Sequence, residues 1–202
     1  MCLKGLAPLK NLQVLFLKSE EITDAGLKDL AIFKNLKQLY LGGTSVTDAG
    51  LKELASLKNL NRLSLDSKKV TDAGLKELAT LENLTDLTLY GLNVTDAGLK
   101  HLAPLRNLTQ LNLAHTKVTD SGMKELSAIN KLNDLSLLGT EVTDVGLKEL
   151  ATLKNFKMLV ISPDKVTDAG LKEFQKAQPE CKLILGIQNG LSSGSIAPIV
   201  RP

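Results

Sequence analysis

Seven aspartates recur at a fixed interval of 24 residues: Asp24, Asp48, Asp72, Asp96, Asp120, Asp144 and Asp168. A ladder of carboxylates on stacked coils is one way to hold calcium. That chemistry needs several oxygen ligands converging on a single ion, and one aspartate per unit does not supply them. Each aspartate instead falls where a helix would start, so its charge would meet the positive end of the helix dipole. The other chemistry-bearing residues are few. Of the two histidines, His101 replaces a glutamate found at that point in neighbouring helices, and His115 lies close in sequence to Asn112 and Thr116. A lone histidine without a nucleophile or convergent carboxylates is no catalytic constellation, so His115 is a candidate ligand contact only. Cys2 and Cys181 sit near opposite ends of the array, about 30 Å apart by strand spacing and out of disulfide reach. Unpaired thiols favour a reducing compartment. Asn83-Leu-Thr85, Asn93-Val-Thr95 and Asn107-Leu-Thr109 match the glycosylation sequon, but two of these arise from the repeat's own Asn-Leu step.

The elements that must position these residues follow from the repeat. One unit reads Leu36-x-x-Leu39-x-Leu41-x-x-Thr44-x-Val46-Thr47-Asp48-Ala49-Gly50-Leu51-Lys52-Glu53-Leu54-Ala55-x-Leu57-Lys58-Asn59, and seven such units follow one another without insertion. Leu39 and Leu41 alternate with Gln38, Tyr40 and Gly42, the period of a half-buried strand. Leu51, Leu54 and Ala55 recur at helical spacing. Thr47 fits an N-cap, with Val46 and Leu51 at the two positions of a hydrophobic staple. Gly50 inside a helix costs about 1 kcal/mol relative to alanine; its return in every unit predicts that a Cβ there would strike the neighbouring coil. Asn11, Asn35, Asn59, Asn83, Asn107 and Asn155 fit a helix C-terminal turn that needs a left-handed residue. A strand and a helix every 24 residues give a parallel sheet with one strand per coil. Strands sit about 4.8 Å apart and packed helices about 8–10 Å, so the stack bends with the sheet on its concave side. No unit can bury its leucine face alone, and stacking makes the core.

This pattern resembles the leucine-rich-repeat family, in particular the short LxxLxLxxTxVTDAGLxxLAxLxx type of bacterial, planctomycete-like arrays and of the cysteine-containing repeats of F-box proteins and related effectors. The resemblance runs from about residue 3 to residue 185. It implies an α/β solenoid of horseshoe form, with a parallel sheet on the concave face, short helices on the convex face, and a protein or peptide as ligand. At the ninth position of the unit Thr44, Thr116 and Thr140 keep the usual type, whereas Glu20, Lys68, Leu92 and Asp164 depart from it, so a continuous polar ladder is not expected. No F-box-like helical segment is visible.

Residues 1–185 thus form one array of seven units, with a closing eighth strand at Leu183 and Leu185 after a last helix that Pro179 ends. Residues 186–202 have lost the repeat and read as a flexible tail. Aligning Leu3–Leu9 with Leu99–Leu105 starts the chain inside a helix, the expectation for a fragment or a gene begun at an internal Met. A missing upstream part could hold a signal peptide or another domain. In this form the uncapped first repeat offers a surface for self-association. The unpaired cysteines and the absence of a visible signal peptide favour the cytoplasm.

The remaining variation is concentrated between the buried leucines of the strands. The middle outward row reads Phe16, Tyr40, Ser64, Thr88, Asn112, Ser136, Val160; the row before it contains Arg62 and Asp86, and the row after it Asp66 and Tyr90. Both tyrosines of the chain fall on this face. Tyrosine and arginine are the residue types most often found as interface hot spots, and a rigid sheet presenting them loses little entropy on binding. The expected function is a non-enzymatic interaction module that binds a protein or peptide partner through Phe16, Tyr40, Arg62, Asp66, Asp86, Tyr90, Asn112 and His115. Two alternatives stand beside it: the substrate-recognition part of an F-box or ubiquitin-ligase-like effector, and a secreted or surface adhesion array. Composition removes other classes. The 202 residues include 43 leucines, no tryptophan and only 3% aromatics, with a net charge of +3. That charge is too mild to imply nucleic acid or an anionic membrane surface, and no apolar run reaches the ~18–20 residues of a membrane span. No nucleophile–base pair, metal-ligand cluster or phosphate-cradling loop is visible, so neither catalysis nor a cofactor is expected.

Overall fold

The computed structural model describes residues 3–153 and 156–186; Cys2, Asn155 and all of the expected tail except Gly186, whose N–H donates to the Ile161 carbonyl, lie outside them. Eight strands form one open parallel sheet in chain order, each paired only with its sequence neighbours. They are β1 (Val14–Lys18), β2 (Gln38–Gly42), β3 (Arg62–Leu65), β4 (Asp86–Leu89), β5 (Gln110–Asn112), β6 (Asp134–Leu137), β7 (Met158–Ile161) and β8 (Lys182–Leu185). The register advances by one unit per strand, so Leu15, Leu39, Leu63, Leu87, Leu111, Leu135, Leu159 and Leu183 stack in a single row. Most of these and the helix leucines are wholly buried. Each contributes on the order of 1.5–3 kcal/mol by leaving water, and no coil could achieve this without its neighbours.

The convex segments are short, four to ten residues where α-helical, and in four coils they are partly or wholly 3₁₀. They comprise α1 (Asp24–Asp29), α2 (Asp48–Leu51), α3 (Asp72–Leu78), α4 (Asp96–Leu99), α5 (Asp144–Leu150) and α6 (Asp168–Ala177). Three of them run on into 3₁₀ turns, and the fifth coil has only 3₁₀ turns, at Asp120–Gly122 and Glu125–Ala128. A 3₁₀ turn rises about 2.0 Å per residue against 1.5 Å for the α form. The segment therefore crosses its coil in fewer residues with a thinner cross-section, which suits helices drawn together by a sheet only about 4.8 Å in pitch.

The recurring aspartate does more than open a helix. Oδ1 of Asp48 accepts the Thr71 backbone N–H at 2.7 Å and its Oδ2 accepts the Thr71 hydroxyl at 2.7 Å. Thr71 in turn caps α3 by accepting the Ala73 N–H. The same pair of bonds joins Asp24 to Thr47, Asp72 to Thr95, Asp96 to Thr119, Asp120 to Thr143 and Asp144 to Thr167. The glycine follows directly. A Cβ built on Gly74 would stand 2.5 Å from Oδ1 of Asp48, and one on Gly146 2.6 Å from Oδ1 of Asp120. The glycine is the space the previous coil's carboxylate needs.

The asparagine expectation is corrected. Among the described residues His115 is the one non-glycine with positive φ, so Asn11, Asn35, Asn59, Asn83 and Asn107 are not left-handed. Four of them reach back one coil instead. Nδ2 of Asn35, Asn59, Asn83 and Asn107 donates to the carbonyls of Lys10, Lys34, Lys58 and Glu82. An amide fixed to the preceding coil satisfies an exposed helix-end carbonyl without a special backbone conformation. The polar ninth position forms no ladder between coils: the hydroxyls of Thr116 and Thr140 donate to carbonyls of their own coils, at Leu113 and Leu137.

These contacts predict a coupled pair at α6. The three atoms nearest a Cβ on Gly170 all belong to the Asp144 side chain. Asp144→Ala should cost about 1–3 kcal/mol through the bonds it leaves unmade, and Gly170→Ala a similar amount through the clash. In the double variant the alanine methyl occupies vacated space, so its stability in urea denaturation should be no lower than that of Asp144→Ala alone. Additive losses would refute the linkage of glycine to carboxylate.

Candidate binding surface

Alternation within each strand turns every second side chain away from the core, and the shared register lines these into three rows across the sheet. The chain's six aromatics divide evenly between the two sides. Phe33, Phe156 and Phe174 are buried in the core, the last two in edge contact at 6.5 Å between centroids. Phe16, Tyr40 and Tyr90 stand on the sheet face. Phe16 is 70% exposed and lies flat on Tyr40, with centroids 4.2 Å apart and an interplanar angle of 3°. The two rings occupy paired positions on β1 and β2. The Tyr40 hydroxyl donates to Oε1 of Gln38 at 3.1 Å, which holds the ring down on its own strand.

Arg62 is in register with Gln38 on one side and Asp86 on the other. Its Nη2 meets Oδ1 of Asp86 at 2.7 Å, while Oδ2 of Asp86 accepts the Thr85 hydroxyl at 2.7 Å. The guanidinium is held above its usual range chiefly by hydrogen bonding to the Tyr40 hydroxyl, against partial desolvation and with the Asp86 charge adding to it. Arg62 is thus held by the Asp86 carboxylate on a side chain that stays 44% exposed. The ion pair is to Asp86 and not to Asp66, whose exposed side chain lies at the far end of β3.

Tyr90 and His115 form the second aromatic pair, edge to face at 5.0 Å. His115 holds φ +58°, in the row where Gly43, Gly91 and Gly139 hold +55° to +69°. A side chain in that conformation costs on the order of 1–2 kcal/mol. Asn112 sits just before this turn, and its Oδ1 accepts the Ala114 N–H at 2.9 Å. This bond helps shape the turn that leads to His115.

The structure therefore groups the eight expected residues into a stack (Phe16, Tyr40), an ion pair (Arg62, Asp86) and a rim pair (Tyr90, His115), with Asp66 exposed near the rim and Asn112 beneath it. Gln38 and Thr85, which orient Tyr40 and Asp86, are supporting residues that the strand pattern alone did not single out, since their types look ordinary. Val14 adds to the open face beside Phe16 with 41% exposure. Among the described residues no cluster of three histidines, cysteines or carboxylates is placed to hold a metal ion, and no helix is long and apolar enough to cross a membrane. Cys181 is buried behind β8, and burial pushes its thiol up to about 11.

Two outcomes follow. His115→Val should lower stability by about 1–3 kcal/mol, because a β-branched residue is strained at positive φ, whereas His115→Gly should cost less; equal losses in thermal melts would show that φ is not what matters there. Cys181 should resist iodoacetamide at pH 8 in the folded chain and react rapidly once unfolded. A thiol raised in the folded state also makes the fold lose stability as pH climbs from the ordinary thiol range toward 11. Fast alkylation of the native protein at pH 8 would contradict the burial.

A family model described as Leucine Rich repeat matches residues 34–55 and 105–127. No curated protein sequence matches the chain. Among solved structures, internalin C2 of Listeria monocytogenes superposes with a TM-score of 0.69 at 25% identity, over 88% of this chain and 72% of its own length. A leucine-rich-repeat protein of Leptospira interrogans gives 0.65 at 24% identity, over 89% of this chain and 50% of its own. A second Listeria internalin, internalin F, gives 0.52 at 18% identity, over 90% of this chain and 63% of its own. The chain thus spans between half and three quarters of these structures. With two repeat segments matched by sequence and an eight-stranded open parallel sheet matched by shape, the fold is a leucine-rich-repeat solenoid.

Proposed function

We propose that this chain is a non-enzymatic interaction module that binds a protein or peptide on the β1–β4 half of its concave sheet. The carrying observation is the exposed aromatic pair of Phe16 and Tyr40, set beside the ion-paired Arg62, with Tyr40 and Arg62 on strands that are hydrogen-bonded on both edges and Phe16 on the terminal strand β1. Burying a large aromatic face is favourable, and these rings have little rotamer freedom left to lose. Arg62 adds direction, because its guanidinium is already oriented by the ion pair with Asp86. The matched solved structures are leucine-rich-repeat proteins, a class that commonly mediates protein–protein interaction, which supports the reading without naming a partner. The ubiquitin-ligase-like and adhesion readings draw no separate support from the site's geometry.

The test uses random peptides displayed on phage and panned against the immobilised 202-residue chain. Selected peptides should slow amide exchange in β1–β4, and the triple variant Tyr40→Ala, Arg62→Ala, Tyr90→Ala should lose binding about 100-fold while melting normally, as expected when two or more hot-spot residues are removed. Protection confined to the convex helices, or unchanged affinity, would overturn the assignment.

A further inference from the structure

We infer that Asp66 and Tyr90 form a subsite for a basic side chain, so that the peptide taken by the concave face carries a lysine or arginine about three residues from its aromatic or large aliphatic anchor. This rests on the binding surface proposed above and adds the charge of its occupant.

Leu65 of β3 and Leu89 of β4 are paired in register, and Asp66 and Tyr90 are the next residue on each strand. Both are exposed. Side chains in one row of adjacent strands start about 4.8 Å apart, so Asp66 and Tyr90, one residue past a paired position, are neighbours in the row that follows the strands. The Tyr90 ring also meets His115, with centroids 5.0 Å apart and ring planes at 68°. This contact limits the ring's movement, while 37% of Tyr90 stays exposed. A carboxylate next to an accessible aromatic face favours a cation by two mechanisms, direct charge attraction and the ring quadrupole.

The surrounding charge supports the same occupant. The outward positions of β3–β6 and the residue following each strand contain one arginine, Arg62, and three aspartates: Asp66, Asp86 and Asp134. Arg62 is committed to Asp86, and Asp134 accepts only from the neutral Nε2 of Gln110. The Asp66 carboxylate has no hydrogen-bond or ion-pair partner among the described residues, and Lys68 and Lys69 on the following loop form no ion pair with it. The middle of the sheet is therefore acidic in a chain whose net charge is +3, which is a local complementarity to a basic ligand rather than a property of the whole surface.

Spacing sets the motif. The subsite lies one to two strands across from Tyr40 and two residues further along, about 10 Å away. Three residues of extended chain cover that distance at roughly 3.3 Å each.

The experiment pans the same phage-displayed random peptides on the full chain and keeps the clones that Tyr40→Ala abolishes. Those clones should be enriched in lysine or arginine three positions from an aromatic or aliphatic residue. A synthetic peptide of the winning sequence should bind Asp66→Asn about tenfold more weakly, with a smaller dependence on salt. Asp66→Lys should switch the selected peptides from basic to acidic, a gain that misfolding cannot produce. Tyr40-dependent clones without basic enrichment, or with unchanged affinity for Asp66→Asn, would overturn this subsite and leave the concave surface standing. A library yielding no Tyr40-dependent clones would overturn both.

Discussion

One carboxylate per coil, bonded forward to a threonine and accommodated by a missing side chain, is what every other feature of this molecule depends on. The aspartate accepts the threonine N–H and hydroxyl of the next coil, and the threonine passes the contact on by capping that coil's helical segment. Charge-assisted bonds of this kind are roughly twice as strong as neutral ones, and here they fall where the helix dipole also favours a negative group. Because the bonds are directional and short, they allow one relative placement of consecutive coils. Slippage of the leucine stack, which hydrophobic burial alone would tolerate, is therefore closed off. The glycine at the third position past the threonine is part of the same device, since any side chain there meets the carboxylate.

This division of labour explains why the convex half of the unit hardly changes while the strand half does. Register and spacing are set by the aspartate, threonine, glycine and asparagine contacts, all on the helical side or at its ends. The outward strand positions then carry no structural duty beyond staying compatible with an extended backbone. A ring, a guanidinium or a hydroxyl can be exchanged there at small cost, as for surface substitutions in general. The sheet behaves as a rigid panel on which recognition groups are mounted in rows.

Much of the fold was readable before any coordinates, because a strict period makes the sequence its own alignment. Alternation at Leu39 and Leu41 and helical spacing at Leu51 and Leu54 sufficed to place strand and helix, and the register of Leu15 through Leu183 follows from the period alone. Two readings fell short for one reason: the contacts concerned lie between coils, and local rules see only one. Asp48 looks like an ordinary first-turn acid until Thr71 is brought beside it, and Asn59 looks like a C-terminal cap until the carbonyl of Lys34 is. At the candidate surface the rows identified which residues could meet. They could not show that Phe16 lies flat on Tyr40, that Asp86 takes Arg62 from Asp66, or that Asn112 turns back to its own backbone.

His115 is where these two levels come into conflict, and the conflict is informative. Its row prefers glycine wherever φ is positive, at Gly43, Gly91 and Gly139, yet here an imidazole is kept in the same strained conformation. The imidazole meets the exposed Tyr90 ring, with centroids 5.0 Å apart. Backbone strain kept on a candidate binding surface is a pattern associated with functional sites. The contact also braces the tyrosine, because the imidazole lies against one side of the Tyr90 ring and limits its movement in that direction. A braced ring bordering an unpaired carboxylate differs physically from a mobile tyrosine on a loop, because the entropy of arranging the two groups has been removed before any ligand arrives.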